Sequence, residues 1–274
     1  MSKKLWEASL SQKRDSLLYK YEQFISKKYH KKFNKKYENI LKWSITNPGN
    51  FWSSIWDFFE IKGHKSKLKI RKSKIFYKNI FLPNSKLNFA ENLLLKNNKD
   101  KAITFISENG FRKERSWYEL NLNVSKVSKF LKSIKIKKKD RVVAYMPNSI
   151  ETVEAFIASS SLGAIWSSCS PDFGIKGVVE RFSQISPKVL FVVDKYFYNG
   201  EMINILERVP QILKAIPSIK YVVIVNYPGE KYLYNKYTSK KVKVLKWREL
   251  IKQEPEKIQF REFDFEQELL ILYS

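Results

Sequence analysis

The chain has 274 residues, 43% of them hydrophobic and 15% aromatic, enough apolar material to bury a sizeable core and to exclude a wholly disordered protein. Its formal charge is +25, from 52 basic and 27 acidic residues, but only nine of the basic residues are Arg. Bidentate recognition of phosphate and bases favours Arg, so a Lys excess of this kind reads as charge spread over solvated faces, and no nucleic-acid partner is expected. Cys169 is the sole cysteine, which excludes an intramolecular disulfide and fits a packed thiol in a reducing, cytoplasmic setting. No run approaches the roughly 18 apolar residues of a membrane span, and the first residues carry no apolar signal core, so no membrane partner is expected either.

Residues 1–85 read as a helical, aromatic-rich cap. Ile25, Tyr29, Phe33 and Tyr37 recur every four residues, with Ile40 and Leu41 following, which predicts one amphipathic helix with Lys pairs on its flank. Asn47-Pro48-Gly49-Asn50 reads as a turn, Phe51 to Phe59 as an apolar helix, and Lys62 to Lys74 as a basic connector. From Leu87 the periodicity changes. Ala102 to Ile106 and Phe111 to Trp117 read as a hairpin closed by a two-residue Asn109-Gly110 turn. Tyr118 to Ile134 reads as a helix with Leu120, Val124, Val127 and Leu131 on one face.

Short apolar strands then alternate with helices. Arg141 to Met146 is a strand, and a helix follows in which Asn148 and Glu151 have capping-box spacing. Ala164 to Trp166 is a further apolar run, and a helix from about Ile175 to Ile185 stops before Pro187. Val189 to Val193 and Tyr221 to Val225 are strands flanking a helix from about Met202 to Ile212. Continuous apolar strands separated by helices define parallel β-α-β units, so the expected class is α/β, with residues 86–274 as a second domain. Lys135 to Lys139 reads as a solvated loop.

The residues that carry chemistry are sparse. His30 and His64 are the only histidines and read as surface residues, which leaves almost nothing for a His-metal site or a His-based triad. Gly174 and Gly177, before a helix, read as a helix-entry turn rather than a phosphate cradle. Glu114 with Glu119, and the series Glu262, Asp264, Glu266 and Glu268, are acidic groupings; the second reads as the polar face of an extended segment opposite Phe263, Phe265 and Leu269. No catalytic residue and no metal ligand is assigned. Glu268 to Tyr273 reads as a buried strand with no covering element after it, so the chain is expected to be truncated.

Several segments resemble the adenylate-forming superfamily. Ser116-Trp-Tyr-Glu-Leu120, Met146-Pro-Asn-Ser149 and Leu162-Gly-Ala164 are similar to its early core motifs. Gly163-Ala-Ile-Trp-Ser-Ser-Cys-Ser-Pro-Asp-Phe-Gly174, running on into Val179 to Val189, resembles its acetoacetate-activating acyl-CoA synthetases in particular, and Leu87 to Asn92 and the Phe51 to Phe59 cluster agree. The resemblance implies an acid-thiol ligase using ATP, Mg2+ and CoA on acetoacetate, with acetate or propionate as alternative acids. The positive charge leaves a non-enzymatic alternative, a basic module that binds nucleic acid or anionic surfaces through lysines 27–36 and 132–139. The resemblance further implies that residues 86–274 are the first part of an adenylation domain, that Ser274 opens the ATP-phosphate loop, and that Lys195, Tyr198 and Gly200 lie where CoA phosphate is met. The fragment alone is expected to be inactive, its partners being the small molecules acetoacetate, ATP and CoA.

Overall fold

A computed structural model describes residues 5–230 and 242–273, and the chain divides into two compact units, residues 1–87 and 88–274. Among the described residues the first unit contains the α-helices α1 (Leu10–Asp15), α2 (Leu17–Tyr29), α3 (Tyr37–Thr46) and α4 (Pro48–Phe58). Its core is aromatic: Tyr21, Ile25, Phe33, Ile40 and Trp43 are buried, with Phe51 and Phe58 against them, and the Tyr21 and Phe58 rings meet edge to face at 5.3 Å. The single amphipathic helix expected over 25–41 is two helices. His30 takes a left-handed conformation and closes α2, and left-handed Asn34 and Lys35 turn the chain before α3. Phe33 thereby reaches Trp43 at 5.5 Å instead of lying along one helix face. The turn expected at Asn47-Pro48 is a helix junction, because a proline at the first helical position gives up only an N–H that has no partner there. The connector holds a short antiparallel pair, β1 (Ile70–Arg71) with β2 (Ile80–Phe81), and β3 (Lys86–Leu87), whose Lys86 exchanges two backbone hydrogen bonds with His64.

The second unit is built on a five-stranded parallel sheet. After α5 (Phe89–Leu93), β4 (Lys101–Ile106) and β5 (Arg112–Ser116) form an antiparallel hairpin. Ser107 faces Phe111 across its end, Gly110 N–H bonds to the Ser107 carbonyl, and only Gly110 has positive φ. The loop is therefore three residues with a glycine bulge, not the two-residue turn expected. α6 (Trp117–Ser133) is opened by a capping box between Ser116 and Glu119 and buries Leu120, Val124, Val127 and Leu131, the expected face. Next come β6 (Arg141–Tyr145), α7 (Ile150–Ser161), β7 (Ile165–Cys169), α8 (Ile175–Phe182), β8 (Val189–Val193), β9 (Lys195–Tyr198), β10 (Glu201–Asn204), α9 (Val209–Ala215), β11 (Tyr221–Val225), β12 (Lys243–Lys246) and α10 (Trp247–Leu250). The cap of α7 is Ser149, whose hydroxyl accepts from Thr152 N–H, one residue later than expected.

The sheet order is β12-β11-β8-β6-β7, every pair parallel, with Tyr221 opposite Val189 and Val142 opposite Trp166. β6 connects outward to β7, while β7 connects back past β6 to β8. Right-handed crossovers therefore put α7 on one face and α8 and α9 on the other. Packing agrees: α7 lies against α5 and α6, and α8 against α9. Both faces are covered, so all five residues of Val189–Val193 are buried, as a continuous apolar run requires.

The carboxyl-terminal segment differs from its reading as a buried strand. Along the outer edge of β7, Trp166 N–H donates to the Leu269 carbonyl and the Trp166 carbonyl accepts from Ile271 N–H, but among the described residues only a single bridge, Trp166 with Leu270, forms, and Leu272 is 77% exposed. Phe263 faces inward against Gly163, whereas Phe265, in a turn, is exposed.

Candidate functional site

In an open parallel sheet the crevice for a ligand opens at the carboxyl ends of neighbouring strands whose connections leave in opposite directions. Here those strands are β6 and β8. Tyr145, the last residue of β6, is fully buried, and its hydroxyl is bonded to the backbone carbonyl of Phe173 and lies 3.1 Å from that of Pro171. The Arg208 guanidinium closes the cluster: its Nη1 donates to Tyr145 Oη at 2.6 Å, to Pro171 O at 3.0 Å and to Phe173 O at 3.2 Å. Burial pushes the Tyr145 phenol above its ordinary range, an effect the hydrogen bond from Arg208 partly offsets. One side chain thus ties the loop after β7 to the end of β6.

That loop, Ser170 to Gly174, carries Phe173, with the Arg181 guanidinium 4.2 Å from its ring centroid. Asp172 accepts from Ser170 Oγ at 2.9 Å and from the Tyr196 phenol, which burial and this carboxylate push up to about 12. Cys169 beneath is a packed thiol pushed up to about 11 by burial, as expected for an inert residue. Gly174 caps α8 with no side-chain bond, so the glycine pair is the helix entry the sequence suggested.

The third wall is the antiparallel pair β9 and β10, whose second strand covers the start of the helix expected from Met202. Tyr198 faces Glu201, so the turn is Asn199-Gly200, both at positive φ: a true two-residue hairpin. Its base is fixed by Asp194, fully buried just after β8, whose Oδ1 accepts from Lys195 N–H at 2.9 Å and Tyr227 N–H at 2.8 Å. The three residues of the expected CoA contact separate here. Lys195 has a side chain only 4% exposed, with its ammonium 3.7 Å from the Glu230 carboxylate. Tyr198 is exposed at the tip, and Gly200 N–H donates to Glu108 at 3.3 Å, with open space where a side chain would stand. Ser274 lies outside the described residues, and its neighbour Tyr273 donates its hydroxyl to Arg181 O at 2.7 Å.

The acidic groupings resolve as structural. Glu114 bridges Lys101 and Arg112 on the hairpin surface, Glu119 completes the α6 capping box, and Asp264 pairs with Lys138. Among the described residues no group of three or more His, Cys, Asp or Glu is placed to hold a metal, and no step is assigned to Mg2+. Tyr145, Asp194, Tyr196 and Arg208 escaped sequence reasoning. Only Asp194 carried a signal, an acid set immediately after an all-apolar strand.

A doubly covered parallel sheet with a crevice between strands whose connections diverge defines an open, doubly wound α/β fold with its ligand crevice at the switch point. A family model described as AMP-binding enzyme matches residues 94–264, and the chain belongs to that family. It is similar to the acetoacetyl-coenzyme A synthetase of Rhizobium meliloti (strain 1021), 38% identical over 194 residues that make up 71% of this chain and 30% of the relative. It is similar to the malonamoyl-CoA synthetase of Penicillium aethiopicum, 31% identical over 281 residues, covering 98% of this chain and 38% of the relative. In fold it matches an acetoacetyl-CoA synthetase from Streptomyces lividans with a TM-score of 0.88 at 23% identity, covering all of this chain and 41% of that one. The chain therefore spans about a third of the length of the curated relatives it matches.

Proposed function

We propose that this chain is the amino-terminal part of an acetoacetate-CoA ligase. The observation that carries the reading is the segment Gly163 to Gly174, which forms β7 and the crevice loop, within a region 38% identical to an acetoacetyl-coenzyme A synthetase. In the whole protein the acetoacetate carboxylate attacks the α-phosphate of ATP, expelling pyrophosphate and leaving acetoacetyl-AMP. The CoA thiolate then attacks the acyl carbon, the acyl-oxygen bond breaks and AMP departs. Residues 86–274 contribute the first part of the adenylation domain, with Ser274 opening its ATP-phosphate loop.

Within that domain the β9–β10 tip is the surface offered to CoA, through the exposed Tyr198 ring and the backbone at Gly200. Lys195, held by Glu230, supports the hairpin from below and reaches a phosphate only by giving up that carboxylate. A second reading of the acid, a malonamate-like substrate, is favoured by the Penicillium relative, which covers nearly all of the chain. Pyrophosphate release by the whole gene product, measured with acetoacetate, malonamate, acetate and propionate, tests the proposal. Acetoacetate is expected to lead. Equal or faster release with another acid rejects acetoacetate as the substrate, and acetoacetate-dependent release from residues 1–274 alone contradicts the inactive frame.

A further inference from the structure

Helix α1 is six residues long and opened by a full capping box between Ser9 and Gln12, yet it buries no residue at all. A helix this short does not hold itself in water, and its one apolar residue, Leu10, is left uncovered. Leu10 is 73% exposed, Leu17 beyond it 62%, and Trp6 before it 74%. The pattern continues on α3, where Tyr37, Leu41 and Ile45, at i, i+4 and i+8, form an exposed stripe while Ile40 and Trp43 serve the core. Leu10, Leu18 and Tyr37, one from each of α1, α2 and α3, line one groove of about 250 Å3, and Lys13, Arg14 and Lys35 stand in its walls.

Between residues 5 and 46 there are ten Lys or Arg and four acidic residues. Exposed apolar side chains interleaved with lysines match an anionic lipid interface: the aliphatic groups enter the acyl boundary while lysine stems lie along them and place ammonium groups among the headgroups. Trp6 and Tyr37 supply the amphipathic rings that settle at that depth. A protein partner fits less well, because protein interfaces are depleted in Lys. A phosphate backbone gains nothing from exposed leucines. We propose that the amino-terminal helical unit docks peripherally on an anionic lipid surface through the α1–α3 groove and the Tyr37, Leu41 and Ile45 stripe. Among the described residues no helix is long and apolar enough to cross a membrane, and peripheral docking needs none.

The test is flotation of the 274-residue chain with vesicles of phosphatidylcholine alone or mixed with phosphatidylserine, near physiological ionic strength. The chain is expected to float with the mixed vesicles and far less with the neutral ones. The pair Leu10→Ser with Leu41→Ser, which leaves the charge unchanged, and the pair Lys13→Gln with Arg14→Gln are each expected to weaken that binding about tenfold. All four sites are exposed, so thermal melts followed by circular dichroism should not move. Absence of flotation overturns the proposal, as does flotation that the leucine pair leaves unchanged. So does either of two other results in place of vesicle binding: binding to a short oligonucleotide that ignores the leucine pair, or a concentration-dependent dimer that the leucine pair dissolves.

Discussion

The parallel sheet of the second unit and the helices of the first are both rich in apolar residues, and they dispose of them in opposite ways. In β8 and β11 nine of ten residues are buried, because helices cover both faces of the sheet. In α1 to α3 the apolar residues divide between an aromatic core and an exposed stripe. An apolar run bounded by turn residues reports burial directly, whereas helical periodicity reports only which residues share a face. Whether the other face meets water, lipid or protein has to come from the structure.

The contrast predicts where substitutions hurt. Phe191→Ala in the middle of β8 removes a fully buried ring touching Trp166 and Trp247, and should cost about 3–5 kcal/mol of unfolding free energy, read as a shifted urea midpoint. An effect of less than about 1 kcal/mol would mean that the sheet does not hold the stability placed there.

The next effect is electrostatic. Glu154 on α7 is fully buried; Arg115 Nε lies 2.9 Å from its Oε1 and Asn123 donates to it, yet its Oε2 has no hydrogen-bond partner. Burial outweighs Arg115 and pushes the carboxyl from its ordinary value up to about 7. The folded state therefore holds a proton that the unfolded chain releases. Stability from this group is full below the ordinary carboxyl pKa and is lost as pH rises through about 7, by up to about 3 kcal/mol. Glu154→Gln should flatten the urea midpoint across that window, and an unchanged slope would show that Glu154 is ionised throughout.

Smaller again is Gly163→Ala. Gly163 sits at φ +71°, and a Cβ there would stand 2.6 Å from the Phe263 ring, so a loss of about 1–3 kcal/mol is expected, with Phe263→Ala relieving the steric part. Least of all, Leu41→Ser on the exposed stripe should change stability by less than about 0.5 kcal/mol. A larger loss would place Leu41 inside a packed contact.

The α/β class, every strand of the parallel sheet that was read and the buried face of α6 were legible because each rests on local periodicity. Turns and caps were less so, since they depend on register. Asn109-Gly110 and Asn199-Gly200 are the same dipeptide. The first closes a three-residue loop because Ser107 faces Phe111, and the second a two-residue loop because Tyr198 faces Glu201. No local signal separates them, and the apolar spacing from Met202 predicts helix over the latter half of the second hairpin. The crevice was the least legible part. Tyr145, Asp172, Tyr196 and Arg208 span more than sixty positions and converge only because β6 and β8 are neighbours in the sheet.

Hydrogen exchange of backbone amides tests most directly the claim that the parallel sheet is the frame and the helical unit a separate, less stable body. The amides of Val189–Val193 and Tyr221–Val225 are expected to exchange last, near the global unfolding limit, with those of α1 exchanging first and those of α2 to α4 in between. Equal protection in α1 to α4 and in the sheet would contradict the account.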